Sequence, residues 1–171
     1  FQRLIEFTNL MKSENDNPTN ISHIYKVRNQ YFGNERVKND YSSGNLKLKN
    51  ISNLLESDEN LINNKSNDEN EKLFFFNNIY AINETFFEKE NYDKDWKIVA
   101  LTKDRQGKEF IAFVEGKKYP FFGIQFHPEK IQFSIGNYFH QNEQQYIPKN
   151  KDAIIVNSRI AMNFIEISKK N

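Results

Sequence analysis

Residues 97–126 constrain the fold of this chain more than any other segment. Residues 97–102 are rich in side chains that favour strands, and residues 104–108, which include Gly107, are typical of a tight turn. Residues 109–115 then alternate their apolar side chains between two faces. These features together predict a β-hairpin. The near-continuous apolar run at residues 119–126 predicts a third strand, buried on both faces.

Helices are predicted on either side of this β-rich segment. Residues 1–11 place Phe1, Leu4 and Ile5 along one side of a helix. Residues 152–168 repeat apolar side chains every three to four positions, which predicts a closing helix whose apolar stripe includes Phe164. Shorter apolar runs predict further strands, at residues 21–27, 45–55 and 73–76.

The segment from residue 56 to residue 72 is almost wholly polar. Its only apolar side chains are those of Leu61 and Ile62. Burying so little apolar surface cannot offset the conformational entropy that is lost when a segment becomes ordered. We therefore predict a polar surface loop or insertion at residues 56–72.

Composition excludes several classes of partner and of site. The 24 basic and 23 acidic residues are interspersed, so no basic face for nucleic acid is expected. No apolar stretch approaches the roughly 20 residues that a membrane-spanning helix needs, so we expect no membrane span. The chain has no cysteine, which excludes disulfides, thiolate zinc sites and a cysteine nucleophile within these residues.

His127 and Glu129 are the residues predicted to carry chemistry. Pro128 disfavours the helical region at His127, and residues two apart in an extended chain project to the same side. Glu129 can then accept a hydrogen bond from one imidazole nitrogen and leave the other as a general base. That is the base-and-orienter part of a catalytic triad. The spacing alone also fits an ordinary surface pair, and we interpret His23 and His140 as ordinary surface or loop histidines.

Residues 119–130, Tyr-Pro-Phe-Phe-Gly-Ile-Gln-Phe-His-Pro-Glu-Lys, resemble the signature near the C-terminus of γ-glutamyl hydrolases. These enzymes trim folate polyglutamates and belong to the class I glutamine amidotransferase superfamily. The Gln-Phe-His-Pro-Glu core fits the whole superfamily, whereas the lead-in at residues 115–120 and Lys130 favour the hydrolase branch. Residues 80–86 and 161–164 are similar to two further segments of the family.

The resemblance implies a fold and a chemistry. The fold is α/β, a partial class I glutamine amidotransferase-like (flavodoxin-like) sheet, mostly parallel, with flanking helices and a β-hairpin that supplies the histidine-bearing strand. The family cleaves γ-glutamyl bonds through a cysteine acyl-enzyme. The protein would then be a cysteine-type γ-glutamyl peptidase that acts on poly-γ-glutamyl folate, and we expect no cofactor and no metal.

The family's site residues map onto four positions of this chain. His127 matches the base that later acts as the acid, and Glu129 matches its orienting carboxylate. Gln2 matches a position beside the nucleophile and is predicted to contact the glutamate portion of the substrate, although a polar residue on an exposed helix turn is an equal interpretation. Asn78 is also a predicted substrate-binding residue, because the pair Asn77-Asn78 stands where the family often has Asn-His at the cleft.

The start of the chain resembles the stretch that follows the family's Cys-Leu-Gly nucleophile turn. On that reading the cysteine lies three positions before Phe1, and residues 1–171 form the C-terminal portion of one γ-glutamyl hydrolase-like domain. We then expect the 171-residue chain to be inactive by itself. For the full-length protein the resemblance allows a homodimer.

The family also implies a lysosomal, vacuolar or secreted location, with which four Asn-x-Ser/Thr sequons agree. Two functions from other classes stay open. One is a non-catalytic relative that keeps the scaffold and binds a ligand or partner. The other is the glutaminase domain of a biosynthetic amidotransferase. A Gly-x-Cys-x-Gly motif upstream of Phe1 would favour the hydrolase over the non-catalytic relative, whereas a neighbouring synthetase domain would favour the glutaminase.

Overall fold

The computed structural model describes residues 36–134, 138–140, 143–145 and 147–169. Their strands are β1 (Arg36–Gly44), β2 (Lys47–Leu48), β3 (Phe74–Tyr80), β4 (Trp96–Lys103), β5 (Glu109–Gly116), β6 (Phe122–Ile124), β7 (Tyr138–His140) and β8 (Glu143–Gln145). Their α-helices are α1 (Glu59–Lys65), α2 (Glu84–Lys89), α3 (Pro128–Phe133) and α4 (Lys151–Lys169), and short 3-10 helices cover Glu56–Asp58 and Tyr92–Lys94. The predicted helix at 1–11 and strand at 21–27, with Gln2 and His23, lie outside the described residues.

The predicted β-hairpin is confirmed as β4 and β5, which pair antiparallel. At its turn Gly107 has a φ of 81°, a left-handed conformation that glycine adopts without strain. The Asp104 carboxylate accepts hydrogen bonds from the backbone N–H groups of Gln106 and Lys108, both at 2.8 Å. All of these determinants lie within five residues, so the sequence alone predicts the turn.

Two sheets enclose the main core. One has the strand order β2-β4-β5-β6, and the other pairs β1 with β3. A backbone bridge between Phe76 and Phe126 links β3 to the segment that follows β6. On the other side the chain passes directly from β1 into β2, where the Thr102 hydroxyl donates to the carbonyl of Asn45 at 2.8 Å. Six phenylalanines fill the enclosed space: Phe74, Phe75, Phe76, Phe110, Phe113 and Phe126.

The mixed α/β class is confirmed, but the mostly parallel pairing predicted for the sheet is wrong for the described strands. Each of their pairings is antiparallel. For β4, β5 and β6 the connections account for this, because short turns join β4 to β5 and β5 to β6. A parallel pair needs a crossover of about a dozen residues or more, usually a helix.

The third strand is shorter and more exposed than predicted. Residues 119–126 contribute only the three residues of β6, and Tyr119 and Phe121 are 55% and 43% exposed. The tight turn after β5 is the cause. The Gly116 N–H donates to the Phe121 carbonyl at 2.8 Å, and the Phe121 N–H donates to the Tyr119 carbonyl at 2.7 Å. The first part of the segment thus forms backbone hydrogen bonds within its own turn and does not pair with the sheet.

The polar segment at residues 56–72 was predicted to be a surface loop or insertion. The structure differs in its first part, because residues 56–65 are helical. Ile62 is fully buried, and the nearly inaccessible Asp58 carboxylate binds Arg159 Nη1 of α4 at 2.6 Å. Further along, Asn45 Nδ2 donates to the carbonyls of Asp68 and Glu71 at 2.9 and 3.0 Å. A few polar contacts with distant residues therefore order a segment that has little apolar surface.

The remaining strand predictions succeed in part. Residues 45–55 contribute only the two-residue strand β2. The strand ends there because the N–H groups of Lys49 and Asn50 both donate to one acceptor, the Val99 carbonyl, at 2.8 and 3.3 Å. The strand predicted at residues 73–76 is confirmed as β3, which is longer. At its start the Leu73 N–H donates to Asn45 Oδ1 at 2.8 Å.

The closing helix is confirmed as α4, one residue longer at each end than predicted. Its buried face is Ala153, Val156, Asn157 and Ile160, whereas Phe164 is half exposed. Asn157 Nδ2 donates to the carbonyls of Leu73 at 2.9 Å and Ala153 at 2.8 Å. Among the described helices, none is both long and apolar enough to cross a membrane.

Candidate active site

The predicted site residues lie where the chain leaves the sheet and enters α3. His127 is the residue before the helix, with φ −111° and ψ 87°, and Pro128 is the first helical residue. Proline suits that position because its fixed φ is close to the helical value. It has no backbone N–H, but an N–H at the first helical position would have no acceptor within the helix. Glu129 therefore sits in the first helical turn and not, as predicted, in an extended chain.

His127 and Glu129 nevertheless form the predicted contact. His127 Nδ1 and Glu129 Oε1 are 2.9 Å apart, and both side chains reach solvent. An ionised carboxylate has no proton to donate, so in this pair the imidazole must donate from Nδ1. Nε2 of a neutral ring then keeps its lone pair. This is the tautomer that a general base acting through Nε2 requires.

Strand β3 fixes the backbone of His127. The His127 N–H donates to the Phe75 carbonyl at 2.8 Å. The neighbouring Phe126 ring lies 4.7 Å from the Phe74 ring and 6.2 Å from the Phe76 ring, centroid to centroid. The histidine therefore follows a residue that is sealed into the aromatic core, which limits how far its own backbone can move.

Helix α3 is held along the rest of its length by α4 and the segment before it. Ile131 is fully buried, and Gln132 Nε2 donates to Ser158 Oγ at 2.9 Å. Lys149 Nζ donates to the carbonyl of Lys130 at 3.3 Å and to the carbonyl of Ile131. Lys149 is not among the residues predicted from the sequence, and no local motif around it signals this contact.

The two predicted substrate-binding residues have different outcomes. Asn78 lies on β3, three residues beyond the Phe75 carbonyl that anchors His127, and its side chain is half-buried. It pairs with Asn39 of β1 in the strand register. The same strand therefore carries Asn78 and the anchor of the histidine. Gln2 lies outside the described residues, and the substrate-binding role predicted for each of the two residues stays a prediction.

No cluster of three or more histidine, cysteine, aspartate or glutamate side chains that could hold a metal occurs in the part of the chain that the structure describes. The chemistry available at the site is proton transfer by an imidazole whose orientation a carboxylate sets. Such a pair activates a nucleophile supplied from elsewhere.

Comparison with known proteins decides the family. The profile of glutamine amidotransferase class-I matches residues 15–145, more than half of the chain. The chain belongs to this family. The α/β class expected from the resemblance agrees with the match, and the matched range includes His127 and Glu129.

Within the class-I amidotransferases, the resemblance to γ-glutamyl hydrolases is confirmed. The chain is 34% identical over 76 residues to γ-glutamyl hydrolase 2 of Arabidopsis thaliana, covering 44% of this chain and 20% of the relative. It is 32% identical over 76 residues to γ-glutamyl hydrolase B of Dictyostelium discoideum, covering 44% and 21%. Probable γ-glutamyl hydrolase 3 of Arabidopsis thaliana matches at 28% over 100 residues, covering 58% and 26%. The matches thus span about a fifth to a quarter of each relative.

Proposed function

We propose that this chain supplies the histidine and carboxylate of a γ-glutamyl hydrolase active site. The observation that carries the proposal is the 2.9 Å contact between His127 Nδ1 and Glu129 Oε1 at the junction of the sheet and α3. The relatives named γ-glutamyl hydrolases support the choice of reaction. The class of substrate that we propose is poly-γ-glutamyl folate, and we propose a lysosomal, vacuolar or secreted location.

The reaction needs a nucleophile that these 171 residues lack, since they contain no cysteine. We propose that a cysteine three positions before Phe1 provides it in the full-length protein. His127 Nε2 would take the thiol proton as the thiolate attacks the γ-glutamyl carbonyl, and would return it to the departing amine. A water, deprotonated by the same nitrogen, would then release the acyl group and regenerate the thiol.

Glu129 has a separate task in this scheme. It holds the imidazole in the Nδ1–H tautomer and stabilises the imidazolium that forms when Nε2 takes the proton. Its carboxylate lies in the first turn of α3, where a negative charge is favoured by the helix N-terminus. The carboxylate thus supports the short helix as well as the histidine.

The test compares the 171-residue chain with the full-length protein on a γ-linked folate polyglutamate. We expect glutamate release only from the full-length protein, and we expect His127→Ala to lower it by at least about a thousandfold, as loss of a triad base does. Release from the 171-residue chain that His127→Ala abolishes would contradict the proposal. So would full-length activity that survives the substitution.

The same assay separates the two alternatives. A glutaminase domain would release ammonia from glutamine faster than it releases glutamate from the folate substrate. A non-catalytic relative would bind the folate polyglutamate without turnover by the full-length protein. The comparisons favour the hydrolase over both, because the relatives with the matches described above are named as γ-glutamyl hydrolases.

A further inference from the structure

The His127–Glu129 pair depends on a helix that is too short to be stable by itself. α3 has six residues, and isolated helices shorter than about 12 residues are marginal in water. The last carbonyls of a helix have no following turn to donate to them and take donors from elsewhere. The N–H of the residue after α3 donates to the Lys130 carbonyl at 3.2 Å. Lys149 Nζ adds a further donor, because it reaches both the Lys130 carbonyl and the Ile131 carbonyl. A cation at this end also complements the helix dipole.

Lys149 is itself held by its neighbours in the chain. Ile147 and Pro148 are buried just before it. Asn150, directly after it, caps α4 by accepting a hydrogen bond from the Ala153 N–H at 2.8 Å. The ammonium group thus extends from a backbone that is fixed on both sides, so it can restrain α3 and does not merely follow it.

The same short segment also reaches the strand that anchors the histidine. Asn150 Nδ2 donates to the Lys72 carbonyl at 2.9 Å, two residues before the start of β3. Three residues further on, the Phe75 carbonyl accepts from the His127 N–H. Residues 149 and 150 therefore contact both the helix that carries Glu129 and the residue that leads into the strand that holds His127.

From this arrangement we infer that Lys149 is a positioning residue for the His127–Glu129 pair. This inference rests on the function proposed above and extends it by one residue outside the signature segment. Lys149 holds the C-terminal end of α3 so that Glu129, at its N-terminal end, keeps His127 in the Nδ1–H tautomer. Without that restraint the helix loosens, the carboxylate leaves Nδ1, and the ring populates both tautomers.

The experiment measures the tautomer directly. Full-length protein labelled with nitrogen-15 at histidine is studied at a pH where the ring is neutral, and His127→Asn identifies the His127 signals. We expect the unchanged protein to show protonated Nδ1 and unprotonated Nε2. Lys149→Met should shift the ring to a mixture of the two tautomers, whereas Lys149→Arg, which keeps a cationic donor, should retain the single form.

Lys151→Met is the matched control, because it removes the same charge two residues along, on an exposed position of α4. It should leave the tautomer unchanged. A parallel kinetic readout on the folate substrate should show Lys149→Met lowering kcat on the order of tenfold, with KM little altered, as a small misplacement of a catalytic group does.

A single Nδ1–H tautomer in folded Lys149→Met would overturn the inference, and so would a mixture in the arginine variant or in Lys151→Met. If the methionine variant does not unfold cooperatively, Lys149→Gln, which is shorter and uncharged, takes its place with the same expectation. The tautomer is measured without turnover. A contrary tautomer result therefore does not contradict the proposed hydrolase function. Likewise, an inactive full-length protein does not prevent the tautomer measurement.

Discussion

Two segments of opposite composition, residues 56–72 and residues 119–126, reach opposite outcomes in the structure. The polar segment forms a 3-10 turn and helix α1, and it places Asp58 and Ile62 inside the protein. The apolar segment forms only the three-residue strand β6 and one bridge at Phe126, and it leaves Tyr119 and Phe121 exposed. Their compositions predict the reverse for both segments.

The difference lies in where each backbone finds its partners. Residues 68–73 bond to the side chain of Asn45, which is distant in sequence and itself buried, so ordering the segment requires little apolar surface. Residues 116–121 bond to one another in a tight turn, and the turn directs its aromatic side chains outward. Buried polar groups that are fully paired can therefore specify structure where hydrophobicity does not.

The largest effect is expected at the buried end of the apolar segment. Phe126 is 3% exposed, and its ring packs at an angle against the rings of Phe74 and Phe76. Phe126→Ala should therefore lower the free energy of unfolding by about 3–5 kcal/mol, through lost transfer energy and the cavity that remains. The measurement is denaturant unfolding of the variant beside the unchanged protein.

Phe121→Ala is its matched control, five residues earlier in the same segment and on the exposed turn. It should change the free energy of unfolding by no more than about 0.5 kcal/mol, as exposed substitutions usually do. Equal losses for the two variants would mean that residues 119–126 act as one buried strand after all.

A smaller loss is expected at the anchor of the polar segment. Asn45→Ala removes three hydrogen bonds. In two of them the side-chain amide donates to backbone carbonyls, and in the third its oxygen accepts from the Leu73 N–H. Since at least one partner is left buried without a bond, we expect a loss of about 2–3 kcal/mol in the free energy of unfolding. Hydrogen exchange should accelerate selectively at residues 68–73.

Asn64→Ala tests whether any asparagine near the polar segment would give this result, because Asn64 is exposed on α1. It should leave both stability and exchange close to their original values. If Asn45→Ala has no larger effect than Asn64→Ala, the polar segment is ordered by something other than the Asn45 contacts.

The smallest effect is pH-dependent and lies in the same segment. The backbone N–H groups of Glu71 and Asn70, and then the Lys65 ammonium, hold the pKa of Asp68 below its ordinary value. A depressed carboxyl pKa stabilises the folded state above the unfolded pKa of about 3.9, and that contribution disappears as the pH falls further. Asp68→Asn should therefore weaken the loss of stability on acidification.

The measurement for Asp68→Asn is the midpoint of urea unfolding at neutral pH and at about pH 3. The second pH lies below the ordinary pKa of an aspartate, which is about 3.9. The unchanged protein should lose slightly more on acidification than the variant, because the Asp68 side chain is accessible to solvent and its interactions are screened. An identical pH dependence would show that these contacts do not distinguish the folded from the unfolded chain.

Sequence reasoning succeeded where the determinants are local. The turn at Gly107 and the long helix α4 follow from a few neighbouring residues or from a single periodicity. The contact between His127 and Glu129 was also predicted, although the helix that creates it was not. Pro128 after a polar residue is a known helix-start signal, and the extended interpretation of the motif overlooked it.

The unpredicted features depend on residues far apart in the chain. Asn45 binds residues 23 and 26 positions away, and the Arg159–Asp58 pair spans 101 positions. Lys149 reaches α3 from 18 positions away. No local pattern distinguishes these side chains from the chain's many other asparagines and lysines, so only the folded structure identifies them.

The central claim is that His127 and Glu129 act as one unit, and steady-state kinetics on the full-length protein tests it most directly. His127→Ala should lower kcat by about a thousandfold or more, and Glu129→Gln by roughly ten- to a thousandfold, less than the histidine variant. The double variant should be little worse than His127→Ala alone, because the carboxylate then has no ring to orient. If the two losses multiply, or if Glu129→Gln leaves kcat unchanged, Glu129 is an ordinary surface carboxylate and the account of the site is wrong.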